Sequence, residues 1–160
     1  EHQRATTSDK RVFLLTRSSF LGQQRYASHS WSGDVVSTWE VMKKQLAAGL
    51  NYSLCGIPYW NTDLGGFFAW KYNNNVHNIA YHELHVRWYQ WGAFQPIMRS
   101  HNSSPVAVEI YQFGKKGDWA YDALEKYTHL RYRLLPYLQH FMGSYQQSGQ
   151  HHPTTHDGFS

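Results

Sequence analysis

Short apolar runs alternate with longer amphipathic segments along most of the chain, and this alternation constrains its fold more than any other sequence feature. Compact runs of β-prone residues predict strands over residues 11–15, 52–57 and 94–98. Apolar side chains at three- and four-residue spacing predict helices over residues 37–48 and 80–91, and a long helix beginning near Asp118. A repeated strand–loop–helix order is typical of a parallel sheet covered by helices. The alternation therefore predicts an α/β fold.

Three single residues sharpen these expectations. Gly49 is well placed to end the first helix. Pro136 must kink or end the last helix, because proline lacks the backbone N–H that a helix interior requires. Cys55 is the only cysteine, so an intrachain disulfide is excluded; within its apolar run we expect a buried thiol.

Length and composition divide the chain into a folded part and a tail. At 160 residues the chain is too short for a complete (β/α)8 barrel, which needs about 250 residues. From Gly143 onward, small and polar residues replace most of the apolar ones, and such sequences bury too little apolar surface to fold. We therefore expect one folded domain over residues 1–142 and a disordered polar tail over residues 143–160.

Charge and composition narrow the function classes. The formal charge is +4, but Lys and Arg are scattered, so no basic patch indicates a nucleic-acid partner. No apolar stretch is long enough to span a membrane. The 7 Trp, 12 Tyr and 8 Phe suit stacking on sugars, although an aromatic core is the more ordinary explanation. His151, His152 and His156 are more typical of a polar tail than of a zinc site, since no Cys accompanies them.

The loops after the predicted strands carry most of the side chains that could perform chemistry. Asp34 follows Trp31 and precedes the first helix. Partial burial beside an indole raises the pKa of a carboxyl and suits it to general acid catalysis, whereas a helix N-terminus favours the ionised form. Asp34 is therefore a candidate general acid, with simple helix capping as the alternative.

Two further loop residues are candidates for binding a sugar. Asp63 lies near Phe67 and beside paired glycines that permit close backbone approach, so it could accept bonds from sugar hydroxyls or cap its own turn. His101 could donate to a hydroxyl, although a single histidine is more often structural. A glycosidase needs two carboxyls about 5–5.5 Å apart for retention or about 6.5–9.5 Å for inversion. Asp34 and Asp63 are the pair that spacing nominates.

Four motifs occur in a fixed order along the chain. The first is Arg-Ser-x-Phe, Gln-Arg-Tyr and Trp-Ser-Gly-Asp within residues 17–34, and the second is Pro-Tyr-Trp-x-Thr-Asp-Leu-Gly-Gly-Phe at residues 58–67. Glu-Leu-x-Val-Arg-Trp-x-Gln-x-Gly-Ala-Phe at residues 83–94 and Pro-Ile-Met-Arg-Ser-His at residues 96–101 follow. Together these motifs resemble glycoside hydrolase family 31, the α-glucosidase and α-xylosidase family. The resemblance implies the later strands and helices of a (β/α)8 TIM barrel.

The resemblance also implies a role for each site residue. Asp34 would be the general acid and then the general base of a retaining hydrolase that needs no metal or organic cofactor. Arg17 and His101 would bind hydroxyls of the sugar at the cleaved position. The pocket for that sugar would be shaped by Trp31, Asp63 and Phe67.

Residues 96–101, together with Glu-Ile-Tyr-Gln-Phe-Gly at residues 109–114, look most similar to bacterial α-xylosidases that trim xyloglucan fragments. An α-linked oligosaccharide is then the expected substrate, and a periplasmic or extracellular location follows by analogy. The alternatives are an α-glucosidase of the same family and a non-catalytic carbohydrate-binding or scaffold fragment. A xylose pocket must reject the hydroxymethyl group of glucose, for which an apolar pocket discriminates by only about 1–3 kcal/mol.

The chain departs from the family pattern in three places. The family nucleophile is an Asp upstream of the acid/base loop, where this chain offers only Asp9 without the expected surroundings. The rest of the barrel or another chain is therefore expected to complete the site, and the isolated chain is expected to be poorly active or inactive. Asn102 stands where glycine commonly follows the His, and residues 28–30 lengthen the acid/base loop by one residue. A displacement of about 1 Å can cost roughly a hundredfold in rate.

Overall fold

The computed structural model describes the backbone of residues 12–149 and the side chains through residue 140. Within that range the strands are β1 (Leu14–Thr16), β2 (Ser28–Trp31) and β3 (Trp60–Asn61). The α-helices are α1 (Trp39–Leu54), α2 (Ile79–Gly92) and α3 (Trp119–Gly149), and short 3₁₀ helices span Gln23–Tyr26, Trp70–Tyr72 and Ile110–Phe113. The strands form one parallel sheet in the order β1-β2-β3. The α/β prediction is confirmed.

Strand β2 lies inside the segment that the sequence predicts to be a loop, and Leu14 pairs with Ser28 while Ser30 pairs with Trp60. Hydropathy gives no sign of this strand, because its buried residues are serines. Their polar groups are satisfied locally, since the Gln23 amide donates to Ser30 Oγ at 2.7 Å. The residues that lengthen the acid/base loop are thus part of the sheet.

Helix α1 corrects two sequence predictions. It runs through Gly49 to Leu54, so Gly49 does not end it and the predicted strand over residues 52–57 is wrong. Gly49 is a close-packing position instead, because a Cβ there would lie 2.7 Å from Cζ3 of Trp60 in β3. Cys55 follows the last turn and is exposed rather than buried.

The predicted strand over residues 94–98 is also wrong. Phe94 and Gln95 continue from α2 in turns, with backbone N–H bonds to Trp91 and Gly92. The Arg131 guanidinium of α3 donates to the backbone carbonyls of Ala93, Gln95 and Pro96. This segment is therefore held by turns after α2 and by bonds from α3, and it does not pair with the sheet.

Helix α2 matches its prediction, and its buried face joins α3 and the 3₁₀ helix at Ile110–Phe113 in the core. The largest fully buried apolar side chains of this core are Trp88, Tyr81, Phe113, Leu64, Leu84 and Leu124. Helix α3 does not end at Pro136 but continues to Gly149. Residues 143–149 of the predicted tail are therefore helical, and residues 150–160, including the histidines of the tail, lie outside the described residues, as does Asp9.

Candidate active site

The site is built at the carboxyl end of the parallel strands. Arg17 directly follows β1, Asp34 follows β2 and Asp63 follows β3. Because parallel strands end at the same edge of their sheet, residues that follow them converge there. The loop after α2 adds Arg99 and His101 to the same edge, through contacts with Asp63 and with Phe67.

Asp34 is paired with Arg17. Arg17 Nη2 lies 2.6 Å from Asp34 Oδ1, and the two side chains are 56% and 38% exposed. Gly33 has a φ of +73°, and a Cβ there would lie 3.3 Å from Arg17 Nη2, so the turn needs its glycine. Asp34 does not cap α1: the cap is Thr38, whose hydroxyl accepts from the Val41 N–H at 3.1 Å. The carboxylate of Asp34 is thus bound by Arg17 and is not used as a helix cap.

Asp63 is fully buried beside a single described cation. Its Oδ1 lies 3.2 Å from Arg99 Nη1, and among the described residues neither carboxylate oxygen accepts a hydrogen bond. Burial raises the pKa of Asp63 to about 6 against the opposing charge of Arg99. The adjacent turn is closed by the Gly66 N–H on the Asp63 backbone carbonyl, so the carboxylate does not cap its own turn.

Trp31 connects the two ion pairs. The guanidinium carbons of Arg17 and Arg99 lie 5.6 and 5.4 Å from its ring centroid, within cation–π range. Arg99 received no role from the sequence, although its place in the loop two residues before His101 is a usable signal. The pairing of Arg99 with Asp63 becomes apparent only in the folded chain, where the two side chains lie 3.2 Å apart.

His101 forms the far side of the site with Phe67, their ring centroids 5.2 Å apart. Partial burial lowers the pKa of His101, and the charge of Arg99 acts in the same direction against that of Asp34. The neutral imidazole is favoured, which can donate one N–H and accept at the other nitrogen.

Asn102, the departure from the family pattern beside His101, has a structural task. Its side-chain amide donates to the Gly66 carbonyl at 2.9 Å and to the Tyr81 hydroxyl at 2.8 Å. The side chain therefore ties the His101 loop to the glycine turn after Asp63.

The glycine turn is packed against the loop that carries Asp34. Gly66 has a φ of +81°, and a Cβ there would lie 2.7 Å from Ser37 Cα. The Phe67 and Phe68 N–H groups both donate to the Val35 carbonyl, at 2.7 and 3.1 Å. The acid/base loop and the Asp63 loop are thus one connected unit.

All six side chains that the sequence singles out therefore lie at one edge of the sheet, and their roles stay predictions. Within residues 12–140 no three His, Cys, Asp or Glu side chains are grouped so that they could hold a metal ion. No helix in the described part of the chain has both the length and the apolar character to cross a membrane.

Comparison with known proteins defines the family. The model of the glycosyl hydrolases family 31 TIM-barrel domain matches residues 1–141. The α-xylosidase of Saccharolobus solfataricus is 47% identical over 131 residues, 82% of this chain and 17% of that protein. The mouse lysosomal α-glucosidase is 41% identical over 133 residues, 82% of this chain and 13% of that protein.

A solved structure from the same family also matches this chain. The family 31 α-xylosidase of Xanthomonas citri superimposes with a TM-score of 0.82 at 41% identity, over 91% of this chain and 16% of that one. The chain therefore belongs to glycoside hydrolase family 31, and it forms part of that family's TIM-barrel domain. It spans 17% or less of the length of the curated relatives just described.

Proposed function

We propose that this chain is the acid/base-bearing part of a retaining glycoside hydrolase that removes terminal α-linked xylose from xyloglucan-type oligosaccharides. The proposal rests on the convergence of an accessible carboxylate, Asp34, with cationic, imidazole and aromatic groups at the strand ends. A carboxylate in such surroundings can protonate a leaving group beside a bound sugar.

The first step forms a glycosyl-enzyme. A carboxylate from the rest of the barrel attacks the anomeric carbon, the bond to the leaving oxygen breaks, and Asp34 gives that oxygen its proton. Arg17 lies 2.6 Å from Asp34 before sugar is bound. A sugar hydroxyl that takes the guanidinium donors would separate the ion pair and free Asp34 for its task as an acid.

In the second step Asp34 acts as a base. Its carboxylate removes a proton from water, the water oxygen attacks the anomeric carbon, and the nucleophile carboxylate leaves. Neutral His101 and Arg17 bind the sugar hydroxyls, and Trp31 and Phe67 supply apolar walls. Buried Asp63 holds Arg99 against Trp31 and so shapes the floor of the pocket.

Xylose is the favoured sugar because the α-xylosidases of Saccharolobus solfataricus and Xanthomonas citri are 47% and 41% identical to this chain. An α-glucosidase is the second candidate, since the mouse lysosomal enzyme is 41% identical over a similar share of the chain. The two candidates differ in the ratio of kcat/KM for α-xylosides and α-glucosides.

The direct test is a chimera in which this chain replaces the matching segment of the Saccharolobus solfataricus α-xylosidase. We expect it to release p-nitrophenol from the α-xyloside faster than from the α-glucoside, while the isolated chain releases none. Asp34→Asn should abolish hydrolysis of a natural xyloside. Asp122→Asn is the matched control, because Asp122 is exposed and its carboxylate accepts from the Gly117 N–H, away from the site.

Chemical rescue distinguishes a catalytic Asp34 from a structural one. In the Asp34→Ala chimera, α-xylosyl fluoride loses its fluoride without an acid, so the glycosyl-enzyme should form. It should then accumulate, because no base activates water. Azide needs no base, and we expect it to restore turnover with α-xylosyl azide as the product. A folded chimera that is inactive with azide, or that yields the β-azide, contradicts the assignment. Sugar binding without turnover by the Asp34-intact chimera would indicate a non-catalytic binding fragment.

A further inference from the structure

A line of aromatic rings runs from the proposed sugar pocket to the surface. Phe67 contacts His101 in the pocket and meets Phe68 edge-on, with ring centroids 4.7 Å apart. Phe68 is stacked with Trp70, at 4.2 Å between centroids and 22° between planes. Trp70 ends the line and is 56% exposed.

The indole of Trp70 is held in place from both sides of the chain. Ala69 before it is fully buried, and Tyr72 two residues later is 6% exposed. The 3₁₀ helix Trp70–Tyr72 closes with the Asn73 N–H on the Trp70 carbonyl, and Asn73 adopts a left-handed conformation. An exposed aromatic ring that already stacks on a neighbouring ring loses little conformational entropy when it binds a ligand.

The position of this ring relative to Asp34 indicates what it meets. Phe68 pairs with Val36 in a parallel bridge, and the Ser37 N–H donates to the Phe68 carbonyl at 2.9 Å. Two residues of chain, at most about 3.8 Å each, and one strand spacing place the Phe68 backbone within about 12 Å of Asp34. A general acid lies beside the glycosidic oxygen, so the side of the site next to it faces the leaving group.

The surroundings of Trp70 suit a carbohydrate rather than an apolar ligand. Lys71 is exposed and close enough to Glu40 in the first turn of α1 to contribute to the lowered pKa of Glu40, after the larger effect of Lys44. An open aromatic face with charged neighbours can take the C–H face of a pyranose while those neighbours bond its hydroxyls.

We propose that Trp70, backed by Phe68, is a binding platform for the leaving-group part of the substrate, a gluco-oligosaccharide chain that carries the cleaved sugar. This inference rests on the proposed function, because the direction of the leaving group follows from Asp34 as the acid. It assigns to Trp70 a contribution to oligosaccharide affinity and none to affinity for the free monosaccharide.

The test is binding to the chimera described above, made with Asp34→Asn so that the oligosaccharide is not hydrolysed, and followed by isothermal titration calorimetry. The probes are xylose and a xyloglucan oligosaccharide with a terminal α-xylosyl branch. The variants are Trp70→Ala, Trp70→Phe and Trp119→Ala. Trp119 is the matched control, since it is 51% exposed and packs against His82 instead of the site.

The chimera with Trp70 intact should bind the oligosaccharide more tightly than xylose. Trp70→Ala should weaken oligosaccharide binding about three- to tenfold, the range of one aromatic stacking contact, and leave xylose binding unchanged. Trp70→Phe should retain part of the affinity and Trp119→Ala all of it. Unchanged oligosaccharide affinity in Trp70→Ala, or equal loss for both sugars, overturns the platform. A folded chimera with Trp70 intact that binds neither sugar contradicts the proposed function itself, and the platform with it.

Discussion

Asp63 is a candidate site residue whose buried carboxylate lowers the stability of the fold. Replacing it by asparagine should therefore stabilise the chain at neutral pH. The native pKa of about 6 stands above the ordinary value of 3.8, chiefly because the side chain is fully buried. At 1.36 kcal/mol per pKa unit, that interval corresponds to about 3 kcal/mol.

The sign follows from proton binding. Below pH 3.8 both native and unfolded Asp63 are protonated, and the carboxyl contributes no pH dependence. Between pH 3.8 and 6 the native state holds a proton that the unfolded chain has released, so the free energy of unfolding falls as the pH rises. Above pH 6 both states have released the proton, and Asp63 causes no further fall in the free energy of unfolding. The charged groups that act on Asp63 are Arg99, Arg17 and Asp34, and the shift to about 6 includes their effects.

Urea unfolding of the wild-type chain and Asp63→Asn at pH 4.5 and 7.5 measures the effect. All other titrations are common to both proteins, so the difference between them isolates Asp63. We expect the advantage of the asparagine variant to grow by about 2 kcal/mol between these pH values, since part of the interval lies below pH 4.5. A pH-independent difference, or an asparagine variant that loses stability as pH rises, would refute the reasoning. Arg99→Met tests the opposite change, since an unpaired buried carboxylate should cost about 3–5 kcal/mol at pH 7.5.

Three further perturbations address the packing around the site, each followed by urea unfolding. Gly66→Ala should destabilise the chain by about 1–3 kcal/mol, because alanine disfavours a φ of +81° and its Cβ would meet Ser37; a neutral result would contradict the close packing of the two loops. Arg131→Met should cost about 1–3 kcal/mol by leaving backbone carbonyls without a donor, whereas Arg131→Lys should recover part of it. His85 is fully buried with its pKa lowered to about 3 by burial, so wild-type stability should fall as pH drops from 6.5 toward 3. That slope should be shallower in His85→Phe, and identical slopes would exclude His85 as its source.

What the sequence by itself determined is the class of the fold and a set of candidate residues for the site. Helix α2 is readable because the periodicity of its apolar face is local and strong, with Leu84 and Trp88 at helical spacing. The residues of the site are readable because parallel strands end at one edge, so side chains that follow successive strands meet there. The four motifs then single out Asp34 as the candidate acid by its position in the sequence, without any knowledge of distances.

Only the tertiary structure decided those features that depend on contacts between residues far apart in sequence. Strand β2 has no apolar pattern, and its pairing partners are supplied by β1 and β3. Gly49 lies inside α1 with Trp60 packed against it, and the carbonyls of Ala93, Gln95 and Pro96 accept from Arg131 of a distant helix. The pairing of Arg99 with Asp63 is of the same kind. Local propensity is a weak preference that such contacts override, since each buried contact or hydrogen bond is worth as much as the preference of several residues.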